Sequence, residues 1–312
     1  MVERIVRGLK LGLFLETAAV DHSRPVAPWS ELRDTARLAE QVGFDGIFAP
    51  DHLILRDSAF WGITDTAPRA SLEAWTVLST LAGITERVAL GSFVACNSFR
   101  NPALLAKMAV TLDETSSGRL ILGLGAGSYA PEHEAFGYPY DHLGGRLEES
   151  LQILVPLLRE GHVDFSGRYH EARGCELYPP AHAGRPPIWI AAYGPRLMRL
   201  AARFADSFVT AWHTSPAGIN AIFGALGEAC RDVGREPTTI GRVVGTFVAL
   251  GPGANTSGRR SASLQGSPQA IAEQLEALHA AGADYLVCMV SPGGRRGVER
   301  FAEVIAALRD TP

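Results

Sequence analysis

The sequence predicts an α/β chain folded as a (β/α)8 TIM barrel with loop insertions at the C-terminal rim, on three observations. Eight short apolar runs of strand length alternate with eight helical patterns along 312 residues. The runs are near-continuously apolar, as parallel strands buried on both faces should be. Helix–glycine–strand junctions at Gly43, Gly118 and Gly282 resemble one another, as half-barrel repeats would. A doubly wound sheet competes, but it usually stops at about five or six strands.

The first strand is Leu9–Leu15, followed by a proline-containing loop and an amphipathic helix, Trp29–Val42, with Leu32, Ala36 and Ala39 inward and Gly43 at its end. Strand two is Asp45–Ala49, and a longer loop, Pro50–Ser71, leads to helix Leu72–Thr85. Strand three, Val88–Val94, precedes a helix that opens on Asn101-Pro102, an N-cap followed by a first-turn proline. Leu104, Met108 and Leu112 are expected on its inner face, with Gly118 as a left-handed C-cap. Arg119–Gly127 is strand four, Ser128–His142 a loop, and Arg146–Arg159 a helix closed by Gly161. Residues His162–Pro187 break the rhythm with short polar segments and read as an insertion. Strand five (Ile188–Ala192), helix Pro195–Phe204, strand six (Asp206–Trp212), helix Ala217–Val233 and strand seven (Arg242–Leu250) follow. Gly251–Ser267, rich in Gly, Ser and Arg, reads as a mobile loop. Helix Pro268–Ala281, strand eight (Tyr285–Val290) and helix Val298–Leu308 complete a single domain over residues 1–312.

Composition narrows the function classes. A net charge of -4 with 20% charged residues provides no basic field for nucleic acid. No apolar run reaches the roughly 18 residues of a membrane span, and the first residues lack a secretory pattern, so a cytoplasmic chain is expected. Cys96, Cys175, Cys230 and Cys288 have no metal-ligand or redox spacing, which favours reduced core thiols. There is no His-x-His or His-Glu-x-x-His, so no metal site is expected. Lys10 and Lys107 are the only lysines, and neither falls at a strand end, which argues against Schiff-base chemistry.

A barrel of this kind builds its active site from the loops after the C-terminal strand ends, so rim position filters the candidates. Asp51-His52 follows strand two: a carboxylate beside an imidazole can hydrogen-bond a heterocycle and move a proton near neutral pH. Taken singly, a loop histidine is more often structural, and His213 after Trp212 has the same standing. The run Gly123-x-Gly-x-Gly127 is not a dinucleotide fingerprint, because its third glycine comes too early and no acid follows on a second strand. Either these glycines let a flat ring approach the strand, with Gly125 and Gly127 nearest, or they ease packing; the sequence leaves both open. Ala191-Ala192-Tyr193-Gly194-Pro195 runs from strand directly into helix, where free N–H groups can hold an anion, although an ordinary turn reads the same way. Glu132 and Glu134, after strand four, are read as solvated loop carboxylates.

With these pieces placed, the chain resembles the bacterial luciferase-like flavin and deazaflavin superfamily, and more closely its coenzyme F420-dependent branch. The resemblance rests on Leu90-Gly-Ser-Phe-Val94 with Phe99-Arg-Asn-Pro102, on Gly118–Gly127 with Glu134-Ala-Phe-Gly137, and on Pro187–Pro195 with Ala205-Asp206. Asp51-His52 and Ser267-Pro268 also match. It implies an isoalloxazine-like ring at the strand ends, backed by a non-proline cis peptide at Phe93–Val94. Cys96 and Asn97 stand where the family contacts the ring, Asp51 where it bonds the ring edge, and Ala192, Tyr193 and Gly194 where it holds the phosphate. His52 matches the histidine that assists proton transfer in deazaflavin-dependent dehydrogenases. A homodimer is implied by resemblance alone.

The departures concern substrate. Sugar-phosphate dehydrogenases of this branch carry a glutamate where this chain has Ser128 and a phosphate-binding lysine where it has Thr214. Phe14, Trp61, Tyr129, Trp212 and His213 outline an aromatic pocket for a small uncharged alcohol, ketone or enone. Arg259, Arg260, Arg295 or Arg296 is expected to meet an anionic cofactor tail, unless these arginines form a solvated basic surface. The expected activity is hydride transfer between coenzyme F420 and that substrate. The alternatives are an FMN-dependent monooxygenase and a non-catalytic flavin-binding barrel.

Overall fold

Each of the eight apolar runs becomes a strand of one closed parallel sheet. The computed structural model describes residues 8–18, 26–56, 58, 63, 67, 69–181, 186–254, 256 and 262–310. The elements run β1 (Lys10–Phe14), α1 (Trp29–Val42), β2 (Gly46–Ala49), α2 (Ala74–Ala82), β3 (Ala89–Ser92), β4 (Ala95–Cys96), α3 (Pro102–Thr115) and β5 (Leu120–Gly125). They continue with α4 (Ala130–Phe136), α5 (Leu143–Glu160), β6 (His162–Ser166), β7 (Glu171–Glu176), β8 (Ile188–Ala191), α6 (Gly194–Phe204), β9 (Ser207–Ala211) and α7 (Pro216–Asp232). The last are β10 (Gly241–Ala249), β11 (Leu264–Gln265), α8 (Pro268–Ala280), β12 (Tyr285–Ser291) and α9 (Gly294–Asp310). The barrel order is β1-β2-β3-β5-β8-β9-β10-β12, and β12 pairs back onto β1 in parallel, so the sheet has no open edge. The (β/α)8 architecture is therefore present.

The interior fills in two aromatic layers. Below, Phe48 stacks on Trp189 at 5.1 Å, and Tyr285 sets its edge against both. Phe48 fits because β1 and β3 face it with glycines: a Cβ on Gly12 would lie 2.6 Å from its ring, and one on Gly91 3.0 Å. Above, Trp212 stacks on Phe247 at 4.6 Å, and Phe14 and Phe93 present edges to Trp212. Each such pair contributes roughly 0.5–1.5 kcal/mol beyond the burial of its area. The upper layer matters for function, because it forms the floor beneath the rim.

The helices sit where the periodicity places them, with three differences. Asn101 caps α3 by accepting the N–H groups of Ala103 and Leu104, as expected, but the buried face of α3 is Leu105, Ala106, Ala109, Val110 and Leu112. Leu104 is more than half exposed and Met108 only partly covered. Nearly every position from Ala103 to Val110 is apolar, so two rows satisfy helical spacing and only packing chooses between them. The helix stops at Thr115, and Ser117 and Gly118 both turn left-handed before β5. Next, the segment read as a loop at Ser128–His142 contains α4, seven residues opened by Pro131 and closed by left-handed Gly137. It is too short for a periodic signal. Third, Leu264 and Gln265, inside the stretch read as mobile, form β11 and pair with β10. Within the predicted insertion, β6 and β7 pair only with each other.

The third strand is interrupted. The Phe93–Val94 peptide is cis and separates β3 from β4, and both pieces pair with β5. Across from this bulge stand the glycines of β5 and of the residues just after it. A Cβ on Gly123 would lie 2.1 Å from the Ser92 carbonyl oxygen, one on Gly125 2.8 Å from Val94 Cγ2, and one on Gly127 2.9 Å from Cys96 Sγ. The glycines make room for the bulge. Gly123→Ala is expected to cost about 1–3 kcal/mol by overpacking against backbone. A urea titration checks this, and an unchanged midpoint would mean that β3 can draw back.

Candidate active site

At the C-terminal rim the strand ends enclose a cavity of about 380 Å³. This volume suits a small organic ligand or the ring of a cofactor. Its floor is Phe14, Phe93 and Trp212; one wall is Val94, Ala95 and Cys96, and the opposite wall includes Ala191, Tyr193 and Leu197. Gly125, Gly127, Ser128 and Tyr129 from the end of β5 and beyond, with Asp51, His52 and Glu132, supply the remaining sides. Of the residues named from sequence, Asn97 and Ala192 are buried behind the lining, and Gly194 begins α6 at its edge. His213 is turned to Thr210, with Nε2 and the Thr210 hydroxyl 2.9 Å apart, and does not line the cavity. It forms part of the β9 end instead of the pocket. Trp61, Arg259 and Arg260 lie outside the described residues, and Arg295 pairs with Glu299 one turn along α9.

The main correction concerns Glu132. It is 3% exposed, and its carboxylate lies 3.1 and 3.3 Å from His52 Nδ1 and accepts the Leu53 N–H at 2.9 Å. A carboxylate can only accept, so Nδ1 carries the hydrogen and the ring's remaining lone pair in the neutral form is on Nε2. Nearby, the Tyr129 hydroxyl accepts the Arg56 N–H at 2.8 Å and donates to the Arg56 carbonyl. Two side chains from the start of α4 thus hold the chain after β2. Sequence reasoning missed Glu132 because the partner is 80 residues away and α4 has no periodic signature. Pro131-Glu132, a proline and an acid at a helix start, was the available signal.

Asp51 is also more committed than its position suggested. Its Oδ2 accepts the Cys96 N–H at 3.0 Å and Arg100 Nη1 at 2.6 Å, and its Oδ1 accepts Arg100 Nη2 at 3.0 Å. Burial opposes charge on Arg100, but the hydrogen bonds and charges of Asp51 and Glu73 outweigh it and raise its pKa, so the pair is ionic. Behind the wall, His133 Nδ1 lies 2.9 Å from the Pro139 carbonyl and must donate to it. Its Nε2 therefore accepts from the Cys96 thiol, with sulfur 3.6 Å away. Burial, with a smaller contribution from the carboxylates of Asp51 and Glu132, pushes Cys96 up to about 12, so it is a neutral thiol and a poor nucleophile.

On the far side, α6 starts at Gly194 with no side-chain cap, and space beside Gly194 is open. Its first-turn N–H groups, of which Pro195 has none, lie next to the cavity edge at Tyr193. Among the described residues that line the cavity there is no lysine or arginine. A second cavity, about 470 Å³, opens at the opposite end of the barrel among Lys10, Arg87, Arg119, Arg242, Asp45 and Asp284. There Asp45 and Asp284 accept the Leu11 and Arg242 N–H groups, and Arg119 donates to carbonyls at the end of α2, so these charges brace strand starts. Among the described residues no group of three or more His, Cys, Asp or Glu side chains is placed to hold a metal, and no helix is long and apolar enough to cross a membrane.

The sequence model of the luciferase-like monooxygenase family matches residues 9–257. The chain belongs to that family. Among its relatives is a phthiodiolone/phenolphthiodiolone dimycocerosates ketoreductase of Mycobacterium sp. (strain JLS), 33% identical over 66% of this chain and 58% of the relative. Another is an F420-dependent hydroxymycolic acid dehydrogenase of Mycobacterium tuberculosis, 32% identical over 69% of this chain and 58% of the relative. This luciferase-like chain therefore spans about three-fifths of the length of these curated relatives. In fold it is similar to an F420-dependent secondary alcohol dehydrogenase solved with an F420–acetone adduct, with a TM-score of 0.78 at 20% identity, covering 96% of this chain and 99% of that one.

Replacing Glu132 by Gln sets an amide N–H₂ against the Leu53 N–H or the His52 ring. The expected cost is about 1–3 kcal/mol for the buried donors left without an acceptor. It is read as a lowered denaturation midpoint, and an unchanged midpoint would count against the anchoring role.

Proposed function

We propose that this protein is a coenzyme F420-dependent oxidoreductase acting on a small, largely uncharged secondary alcohol or ketone. The observation that carries the reading is the His52–Glu132 pair on an aromatic-floored rim cavity, in a chain of this family. Two relatives support the carbonyl–alcohol chemistry by name, one a ketoreductase and one an F420-dependent dehydrogenase.

The residues present suit a planar ring with an anionic tail. Phe14, Phe93 and Trp212 offer a flat apolar floor, Val94 and Cys96 one wall, and the uncapped start of α6 an anion site. Phe93, Val94, Cys96, Gly125 and Gly127 would flank the ring, with Asn97 behind, while Ala191, Ala192, Tyr193 and Gly194 would hold the phosphate. The deazaflavin, when bound, supplies the hydride acceptor or donor.

The protein's own part is orientation and proton management. Glu132 keeps the hydrogen of His52 on Nδ1, so Nε2 takes the hydroxyl proton as an alcohol is oxidised and returns it to the carbonyl oxygen in reverse. Asp51, with both oxygens engaged inside the protein, does not share in that transfer. It is a positioning residue in this reading, not a second acid–base. The described lining is largely apolar and aromatic, which favours an uncharged substrate. The largely apolar walls exclude water around the reacting carbon.

The family's description as monooxygenases keeps one competitor, reduced FMN with oxygen. Titrating F420 and FMN separately into the protein distinguishes them. Tight F420 binding with alcohol-dependent bleaching of the coenzyme is expected, and His52→Ala should lower its kcat by about 100-fold or more. Oxygen-dependent turnover with FMN in place of F420, or a His52→Ala variant as fast as the parent, would overturn the assignment. Tight binding of either ring without any turnover would favour a non-catalytic carrier.

A further inference from the structure

We propose that Arg100, which does not line the cavity, is a positioning residue that holds the Cys96 wall through Asp51. Arg100 follows a single 3-10 turn, Asn97–Phe99, that continues from β4. Its guanidinium forks onto both oxygens of Asp51 at 2.6 and 3.0 Å, and Nη2 also reaches Glu73 Oε1 at 2.6 Å. The group lies over the Trp75 ring, 5.7 Å from its centre. Glu73 in turn caps α2 by accepting the N–H groups of Trp75 and Thr76. One guanidinium therefore ties together the end of β2, the turn after β4 and the start of α2.

The cavity side of this strut is the Cys96 backbone. Asp51 reaches the wall by accepting the Cys96 N–H, directly after the bulge that carries Phe93 and Val94. Cys96 has a second anchor, the Sγ–His133 contact, so backbone and side chain are held from different elements. Of the two, only the Asp51 link depends on a buried carboxylate. Asp51 is 4% exposed, and the cations and N–H groups that face it in the structure are Arg100 and Cys96. Without Arg100, that carboxylate sits in an apolar wall with one backbone N–H, and the wall gives way locally at Cys96. A lysine would return the charge but not the two-pronged geometry, so it restores the strut in part. The inference does not depend on which redox ring the cavity takes.

The thiols of the protein itself report on it. Alkylation of each cysteine by iodoacetamide, followed by peptide mass mapping on the ligand-free chain, gives four rates from one sample. Cys230 and Cys288 are fully buried and monitor global opening. Arg100→Met is expected to speed Cys96 alkylation by about ten-fold or more while Cys230 and Cys288 stay at parent rates. Arg100→Lys should leave Cys96 alkylation about two- to three-fold above the parent, a partial restoration, and Asp51→Asn should resemble Arg100→Met. Should Arg100→Met fail to accumulate as folded protein, Arg100→Lys decides: a rise confined to Cys96 supports the strut, and no rise overturns it. A Cys96 rate in Arg100→Met within about two-fold of the parent, or a parallel rise of all three buried thiols, also overturns it. Because no coenzyme is present, a negative result leaves the F420 assignment to its own test.

Discussion

The bulge between β3 and β4 can exist only because β5 opposes it with glycines. Val94 and Cys96 side chains crowd Gly125 and Gly127 at 2.8 and 2.9 Å, and the Ser92 carbonyl oxygen lies only 2.1 Å from where a Gly123 side chain would begin. Backbone contact at that distance leaves no room for adjustment by side-chain rotation. The consequence is geometric. Phe93 turns into the barrel to complete the upper aromatic layer, Val94 and Cys96 face the cavity, and the rim acquires a flat floor with one apolar wall.

Around that interlock the polar groups divide into two systems with different roles. Asp51, Arg100 and Glu73 form an ionic chain that meets the cavity at Asp51 and, through the Cys96 N–H, at the Cys96 wall. Its charges are matched within the protein, and it fixes a wall. His52 and Glu132 form the other system. It orders a tautomer, which is what proton transfer at a single ring nitrogen requires. Adjacent residues in sequence, Asp51 and His52, thus belong to different machinery, because their side chains meet different neighbours, Arg100 and Cys96 for one and Glu132 for the other.

Much of the fold was legible because its signals are local. Largely apolar strand runs of four to nine residues, the Asn101-Pro102 cap and the left-handed turns at Gly43 and Gly118 each need only neighbouring residues to act. The failures have equally local causes. Leu104 and Leu105 both satisfy helical spacing in an all-apolar stretch, and α4 is too short for any period to show. The site was legible in outline, since strand ends of a barrel converge on one rim. Asp51, His52, Phe93, Val94, Cys96, Gly125, Gly127, Ala191 and Tyr193 all meet at the cavity, as do Phe14, Ser128, Tyr129 and Trp212. His213 does not, because its ring is drawn to Thr210.

By itself the sequence determined the alternation of strands and helices, the closed barrel, and which residues would stand at the rim. These follow from periodicity, caps and breakers, which act over a few residues and survive without knowledge of contacts. Only the tertiary structure decided what those residues do to one another. Glu132 went from an expected solvated loop carboxylate to the buried partner of His52, Asp51 acquired Arg100 as its ion partner, and the three glycines proved to leave room for the bulge. Each of those outcomes depends on groups 30 to 80 residues apart arriving within about 3 Å, a distance at which hydrogen bonding and steric exclusion act and which no local pattern encodes.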